Sequence, residues 1–191
     1  MAKTFRKGQR LMEEGDSGDS IYIITKGRAR IFGTSDAGRE ITYGTYGPGE
    51  YHGEMSLDGG PRSASVEALE AIECVQVTRQ TLLQHIAEHP EFALELLGKV
   101  IRRARAATLS AKQLALNDAY GRLVLLLNAL AELQPEGTRL ISERLTHQEI
   151  ANRLGCSREM VSRLTKDLEL GGFIANGSSR YRLLKALPAR W

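Results

Sequence analysis

Between residues 53 and 65 the chain reads Gly-Glu-Met-Ser-Leu-Asp-Gly-Gly-Pro-Arg-Ser-Ala-Ser. One carboxylate (Glu54), one guanidinium (Arg62) and one hydroxyl (Ser63) stand at the two ends of a glycine-rich turn. A carboxylate accepts hydrogen bonds from sugar hydroxyls, and a guanidinium meets a phosphodiester with paired hydrogen bonds. Backbone N–H groups at glycines and at a short helical turn add donors that cradle an anion. The set suits a ligand that carries a ribose hydroxyl and a single phosphate charge together, as a cyclic nucleotide does.

A second group of residues points to different chemistry. Thr146 followed by Glu149 has the spacing of a capping box, and Ile150, Ala151 and Leu154 give the helix it opens an apolar face. Gly155 ends that helix and Ser157 caps the next, which turns Met160, Val161, Leu164 and Leu168 inward. A helix, a tight turn at glycine and a capped second helix make a helix-turn-helix. The outer side of the second helix carries Arg158, Glu159, Ser162, Arg163 and Lys166 at helical spacing. Arginine can pair with guanine O6 and N7, and glutamate can accept from cytosine N4. Candidate DNA contacts are therefore these five residues, with Thr146, His147, Gln148 and Ser157 at the two helix starts. Asn176-Gly177 is a hairpin turn signal, so Phe173–Ala175 and Arg180–Leu184 read as a wing whose Ser178, Ser179 and Arg180 could touch phosphates.

These groups need elements to position them. The first 80 residues read as short strands broken by glycine turns, notably residues 21–24, 28–32, 40–46, 65–69 and 72–77, which suggests a β-barrel or jelly roll. A short helix over 81–86 precedes Pro90, and a long one runs from about Glu91 to Leu116. On it Leu97, Val100, Ala104, Ala107, Ala111 and Leu114 recur at steps of three and four, with Ile101, Thr108 and Ala115 beside them. That stripe fits either packing on its own domain or a coiled-coil seam. The seam is favoured, because the stripe outlasts what a barrel of this size could cover. Asn117-Asp118 breaks the helix, and residues 119–133 predict a further helix buried on most sides.

Composition narrows the classes. With 42% hydrophobic and 26% charged residues, a soluble globular protein is the default. No apolar run is long enough for a transmembrane helix, and residues 1–6 lack the core of a secretion signal, so a cytoplasmic location is expected with no membrane partner. The two cysteines, Cys74 and Cys156, suit a reducing compartment. The net charge of +3 is concentrated in residues 118–191, where 11 Lys and Arg face 8 Asp and Glu. No metal-ligand cluster and no nucleophile–base pairing suggests an enzyme or a cofactor.

The first stretch resembles the phosphate-binding cassette of cyclic-nucleotide-binding domains, with the pattern G-E-x-(A/S)-L followed by P-R-(S/A)-A. With the helix-turn-helix following in order, residues 5 to about 185 resemble the CRP/FNR family of bacterial transcription regulators. The resemblance lies nearer the cyclic-AMP receptor protein subfamily than the oxygen-sensing FNR branch, whose cluster cysteines are absent. It implies an α+β chain: a jelly-roll β-barrel of the cyclic-nucleotide-binding type over 1–89, a dimerisation helix over 90–117 and a winged helix-turn-helix over 118–191. It implies that Glu54 binds the ribose hydroxyl, that Arg62 and Ser63 hold the cyclic phosphate, and that Gly53 donates its backbone N–H, with Met55 and Ser56 in the same cassette. Arg103 matches an arginine near the ligand. Thr108 matches one of two adjacent polar positions that meet the adenine from the dimer helices, and the other is Ala107 here. Arg158, Glu159, Ser162 and Arg163 resemble the R-E-x-x-(G/S)-R pattern and imply a TGTGA-like half-site.

Cyclic AMP is thus the expected effector, and double-stranded DNA, a second copy of the chain and RNA polymerase are the expected partners. Two departures stand out. Gly53 to Arg62 spans nine steps, about one residue tighter than expected for the family, and the chain starts almost at its first strand, so the family's helical lead-in is expected to be missing or short. Cyclic GMP, cyclic di-GMP, or no effector at all remain open, as does a nucleotide-binding adaptor that touches protein. Glu54 is expected to pair with Arg62 or Arg103 when no ligand is bound. His52 reads as a surface or pocket-edge residue, and the 35–40 loop equally as a polymerase contact or a solvated turn.

Overall fold

The computed structural model describes residues 1–135, 137–177 and 180–188. The chain divides into two compact units, residues 1–107 and 108–191.

The first unit is a sandwich of two four-stranded antiparallel sheets. One sheet runs β1 (Ala2–Phe5), β8 (Ile72–Thr78), β3 (Ser20–Lys26) and β6 (Tyr51–His52); the other runs β2 (Arg10–Met12), β7 (Ser65–Ala68), β4 (Ala29–Thr34) and β5 (Glu40–Tyr46). The inward side chains of the two sheets, among them Met12, Ile24, Ala29, Val66, Ala68, Ile72 and Cys74, form one apolar cluster. β8 buries alternate residues, Ile72 and Cys74, whereas β3 buries Ser20, Ile21, Tyr22 and Ile24 in near succession. Two helices follow, α1 (Arg79–Glu88) and α2 (Glu91–Leu116). Thr78 caps α1 by accepting from the Thr81 N–H at 3.2 Å. None of the 26 residues of α2 is buried.

In the second unit the end of α2 is followed by α3 (Ala119–Leu130), which starts where the Asp118 side chain accepts from the Gly121 N–H at 2.7 Å. Sequence reading makes α3 buried on most sides, but the structure buries one stripe, Tyr120, Leu123 and Leu127, and leaves Leu125 exposed. A run of five apolar residues carries no period that marks which face is solvated. Helices α4 (His147–Leu154) and α5 (Arg158–Leu170) pack on α3 around Ile150, Ala151, Leu154, Val161, Leu164 and Leu168. A third antiparallel sheet runs β11 (Ile174–Gly177), β12 (Arg180–Leu183), β10 (Arg139–Leu140) and β9 (Glu132–Leu133). The two-residue strands β9 and β10 escape sequence reading, being too short to show alternation. Among the described residues no helix is long and apolar enough to cross a membrane.

Candidate functional site

The cassette begins where β6 ends. Gly53 takes φ 92°, a left-handed conformation that favours glycine, and a single 3-10 turn over Glu54–Ser56 follows. A side chain at Gly53 would also strike the Ser20 carbonyl at 2.7 Å and the Met12 methyl at 2.9 Å. The chain then turns through Asp58, whose Oδ1 accepts from the Gly60 N–H at 2.9 Å, and returns at Arg62 into β7.

Arg62 is drawn inside. It is only 7% exposed, and it donates from Nη1 to the Gly53 carbonyl (2.9 Å) and Ser56 Oγ (2.7 Å), and from Nη2 to the Ser20 carbonyl (2.9 Å). Its own backbone ties residues 15 and 16 to the cassette: its N–H donates to the Asp16 carbonyl, and its carbonyl accepts from the Gly15 N–H, both at 2.8 Å. Among the described residues no carboxylate stands within ion-pair distance of it. Ser63 is exposed, and its Oγ lies 3.2 Å from the sulfur of the exposed Met55.

Glu54 meets Arg103, not Arg62: Oε1 is 2.6 Å from Arg103 Nη1, with both side chains partly buried. Arg103 Nη2 lies 3.5 Å from Glu50 Oε2 and donates to the Tyr51 carbonyl, and the guanidinium sits over the rings of Tyr46 and Tyr51 at 5.0 and 4.8 Å. Burial pulls the Arg103 pKa down, but the Glu54 hydrogen bond and charge outweigh it, and the net shift is upward. A cavity of about 210 Å³ opens beside this pair, lined by Tyr46, Glu50, Lys99, Arg102, Arg103 and Ala106. Lys99 closes one side, donating to the Gly49 carbonyl at 2.6 Å. Thr108 and Ala107 are exposed positions on α2.

His52 is not at a surface or pocket edge. It is 3% exposed, stacked edge-on to Tyr46 at 5.2 Å, and its buried Nε2 has no hydrogen-bond partner among the described residues. Burial first, and the neighbouring Arg103 charge second, lower its pKa to about 3, so the ring is neutral. A single histidine between tyrosine and glycine gives no sequence signal of which way it points.

In the second unit the capping box is complete: Thr146 Oγ1 accepts from the Glu149 N–H at 3.2 Å, and Glu149 Oε2 accepts from the Thr146 N–H at 2.7 Å. Gly155 ends α4 at φ 65°, and Ser157 Oγ accepts from the Met160 N–H at 3.2 Å. Arg158, Glu159, Ser162, Arg163 and Lys166 are all exposed on α5, while Val161, Leu164, Thr165 and Leu168 are buried beneath them. His147 Nε2 lies 3.2 Å from Thr165 Oγ1 and so joins the two helices, and Gln148 bonds Asn152 at 2.7 Å. Sequence reading missed the Arg153–Glu143 pair at 2.6 Å, which braces α4 against the segment before it. Arg180 is exposed opposite Gly177 in the wing hairpin, and Ser178 and Ser179 lie outside the described residues.

Comparison with known proteins agrees with this architecture. Residues 2–89 match the model of the cyclic nucleotide-binding domain, and residues 144–174 match that of bacterial regulatory proteins of the crp family. A CRP-like cAMP-activated global transcriptional regulator of Mycobacterium tuberculosis is 33% identical over 174 residues, covering 89% of this chain and 78% of that one. The cyclic AMP receptor protein of Thermus thermophilus is 34% identical over 185 residues, covering 96% and 84%. Among solved structures, the c-di-GMP responsive global regulator CLP of Xanthomonas campestris superposes with a TM-score of 0.85 at 25% identity, over 97% of this chain and 94% of that one. With a nucleotide-type cassette on a β-sandwich, a helix-turn-helix with a charged outer face, and relatives of this identity and coverage, the chain belongs to the CRP/FNR family of bacterial transcription regulators.

Proposed function

We propose that this regulator is a homodimeric, sequence-specific DNA-binding protein whose affinity for a TGTGA-like palindrome is set by cyclic AMP. The observation that carries the effector half is Arg62. A guanidinium stays charged, and here it is buried with only neutral acceptors around it. A buried charge without a counter-charge is costly, and an incoming phosphodiester supplies the missing anion. In this reading Glu54 accepts the ribose hydroxyl beside Arg103, Ser63 and the Gly53 N–H add donors to the phosphate, Met55 and Ser56 complete the cassette, and Thr108 reaches the base from the dimer helices. Exposed Arg158, Glu159, Ser162, Arg163 and Lys166 read the major groove, while Thr146, His147, Gln148, Ser157, Ser179 and Arg180 meet the backbone. RNA polymerase is the further protein partner, and the role is regulatory, not enzymatic.

The exposed apolar stripe of α2 supports the dimer, since Leu97, Val100, Ile101 and Leu114 are each more than 40% exposed in the single chain. Two recognition helices in a dimer fit adjacent major grooves about 34 Å apart. Cyclic nucleotide acts only through its differential affinity for the two states of that dimer. The test is duplex binding, followed by fluorescence anisotropy with and without cyclic AMP on a two-half-site duplex. Tighter binding with the nucleotide is expected, and unchanged affinity overturns the effector assignment.

The short cassette and Ala107 favour a second reading, in which the same protein answers to another cyclic nucleotide, cyclic GMP or cyclic di-GMP, or binds DNA without one. Calorimetric titration of each nucleotide separates these. A nucleotide-binding adaptor that touches protein predicts a flat salt dependence of duplex affinity, where a DNA reader predicts a steep one.

A further inference from the structure

Arg62 is enclosed by groups from separate parts of the first unit. Its Nη1 is used twice, by the Gly53 carbonyl and Ser56 Oγ, and its Nη2 by the Ser20 carbonyl. One side of the guanidinium faces Gly18. A β-carbon built on Gly18 would lie 2.7 Å from both Nε and Cζ of Arg62, and against Nη2. Gly18 is not among the glycines with positive φ, so backbone conformation does not demand glycine there, and a side chain would instead displace the guanidinium. Ser56 is itself buried, and its hydroxyl donates to the Gly53 carbonyl at 3.1 Å while accepting from Arg62. Gly18 in the segment before β3 and Ser56 in the cassette, 38 positions apart in sequence, thus form the walls of one seat for one cation.

We propose that Gly18 and Ser56 are positioning residues of the nucleotide site: together with the Ser20 and Gly53 carbonyls they form a guanidinium-shaped seat that holds Arg62 at the base of the cassette. The inference rests on the cyclic-nucleotide reading above for its consequence, but the seat itself is a property of the protein alone. A methyl group at Gly18 expels the guanidinium. Loss of the Ser56 hydroxyl removes one of its three acceptors. Both act on phosphate binding through Arg62, so neither adds a further loss once Arg62 is gone.

The experiment uses the full chain, with cyclic AMP and methylguanidinium as probes. Arg62→Ala empties the seat and leaves buried acceptors without a donor. Methylguanidinium at millimolar concentration is expected to raise the melting temperature of Arg62→Ala but not of the wild type, and to restore part of its cyclic AMP affinity. Gly18→Ala and Ser56→Ala, each combined with Arg62→Ala, are expected to abolish or weaken both effects. In the wild-type background, Gly18→Ala should lower cyclic AMP affinity about as much as Arg62→Ala, roughly 10- to 100-fold, and Ser56→Ala about 3- to 10-fold. Should Gly18→Ala fail to fold by circular dichroism, the Ser56 pair of variants carries the same comparison. Equal methylguanidinium stabilisation of the wild type and Arg62→Ala, or additive losses in the double variants, overturns the seat. If the wild type binds no cyclic AMP, the effector assignment fails separately, and the melting shifts still decide the seat.

Discussion

At the scale of single residues, the sandwich contains an arginine and a histidine handled in opposite ways. Arg62 keeps its charge and is given three neutral acceptors. His52 is left neutral, with its Nε2 unpartnered beside Tyr46 and Arg103. The histidine has a pH consequence. Its folded pKa is about 3 against an ordinary 6.5, so between those values the unfolded chain binds a proton that the folded one refuses. Its contribution to stability is therefore present above pH 6.5 and is lost as pH falls towards 3, by about 1.4 kcal/mol per pH unit. Thermal denaturation between pH 7 and pH 4 should show this slope in the wild type and a shallower one in His52→Phe. Parallel slopes would assign the acid sensitivity to other groups.

At the scale of elements, the helix-turn-helix is over-determined locally. The reciprocal Thr146–Glu149 cap, the left-handed Gly155 and the Ser157 cap each fix one helix end. Thr146→Ala should lower the stability of the second unit by about 1 kcal/mol, read as a shift in urea midpoint with unchanged slope. Arg163 lies on the exposed face of α5, and its guanidinium makes a 3.0 Å contact to the Met160 sulfur. Its replacement by alanine should leave that midpoint in place and weaken binding to the palindrome by about 1–3 kcal/mol, with smaller loss on unrelated DNA. A uniform loss on all sequences would make it a phosphate contact instead.

At the scale of the whole molecule, the long helix carries the proposed dimer interface. An unburied 26-residue helix that presents Leu97, Val100, Ile101 and Leu114 to solvent is stable in water chiefly when another surface covers that stripe. Sedimentation should find a dimer for the wild type and a monomer for a Leu97→Glu, Val100→Glu double variant, which should also lose cooperative binding to two half-sites. A dimeric double variant would move the interface elsewhere. Because many of the seam positions are alanine, the area buried per residue is small, and a concentration-dependent dimer is the expected form.

The sequence by itself determined most features with a short-range chemical rule, although it placed the short helix at 81–86 and missed the Thr78 cap that starts it at Arg79. Glycine, proline and acid–base order located the cassette, threonine and serine spacing located both helix starts, and a period of three to four drew the stripe on a helix that runs where it was expected, Glu91–Leu116. Only the tertiary structure decided what depends on long-range closure. It chose Arg103 over Arg62 as the partner of Glu54, turned His52 inward, exposed Leu125, and added β9 and β10 to the wing sheet. Above all it brought Gly18 against a guanidinium 44 positions away. Local rules act within a turn or two of chain. A buried charge is satisfied by whichever backbone carbonyls the folded sheets bring to it, and no spacing along the chain encodes that encounter.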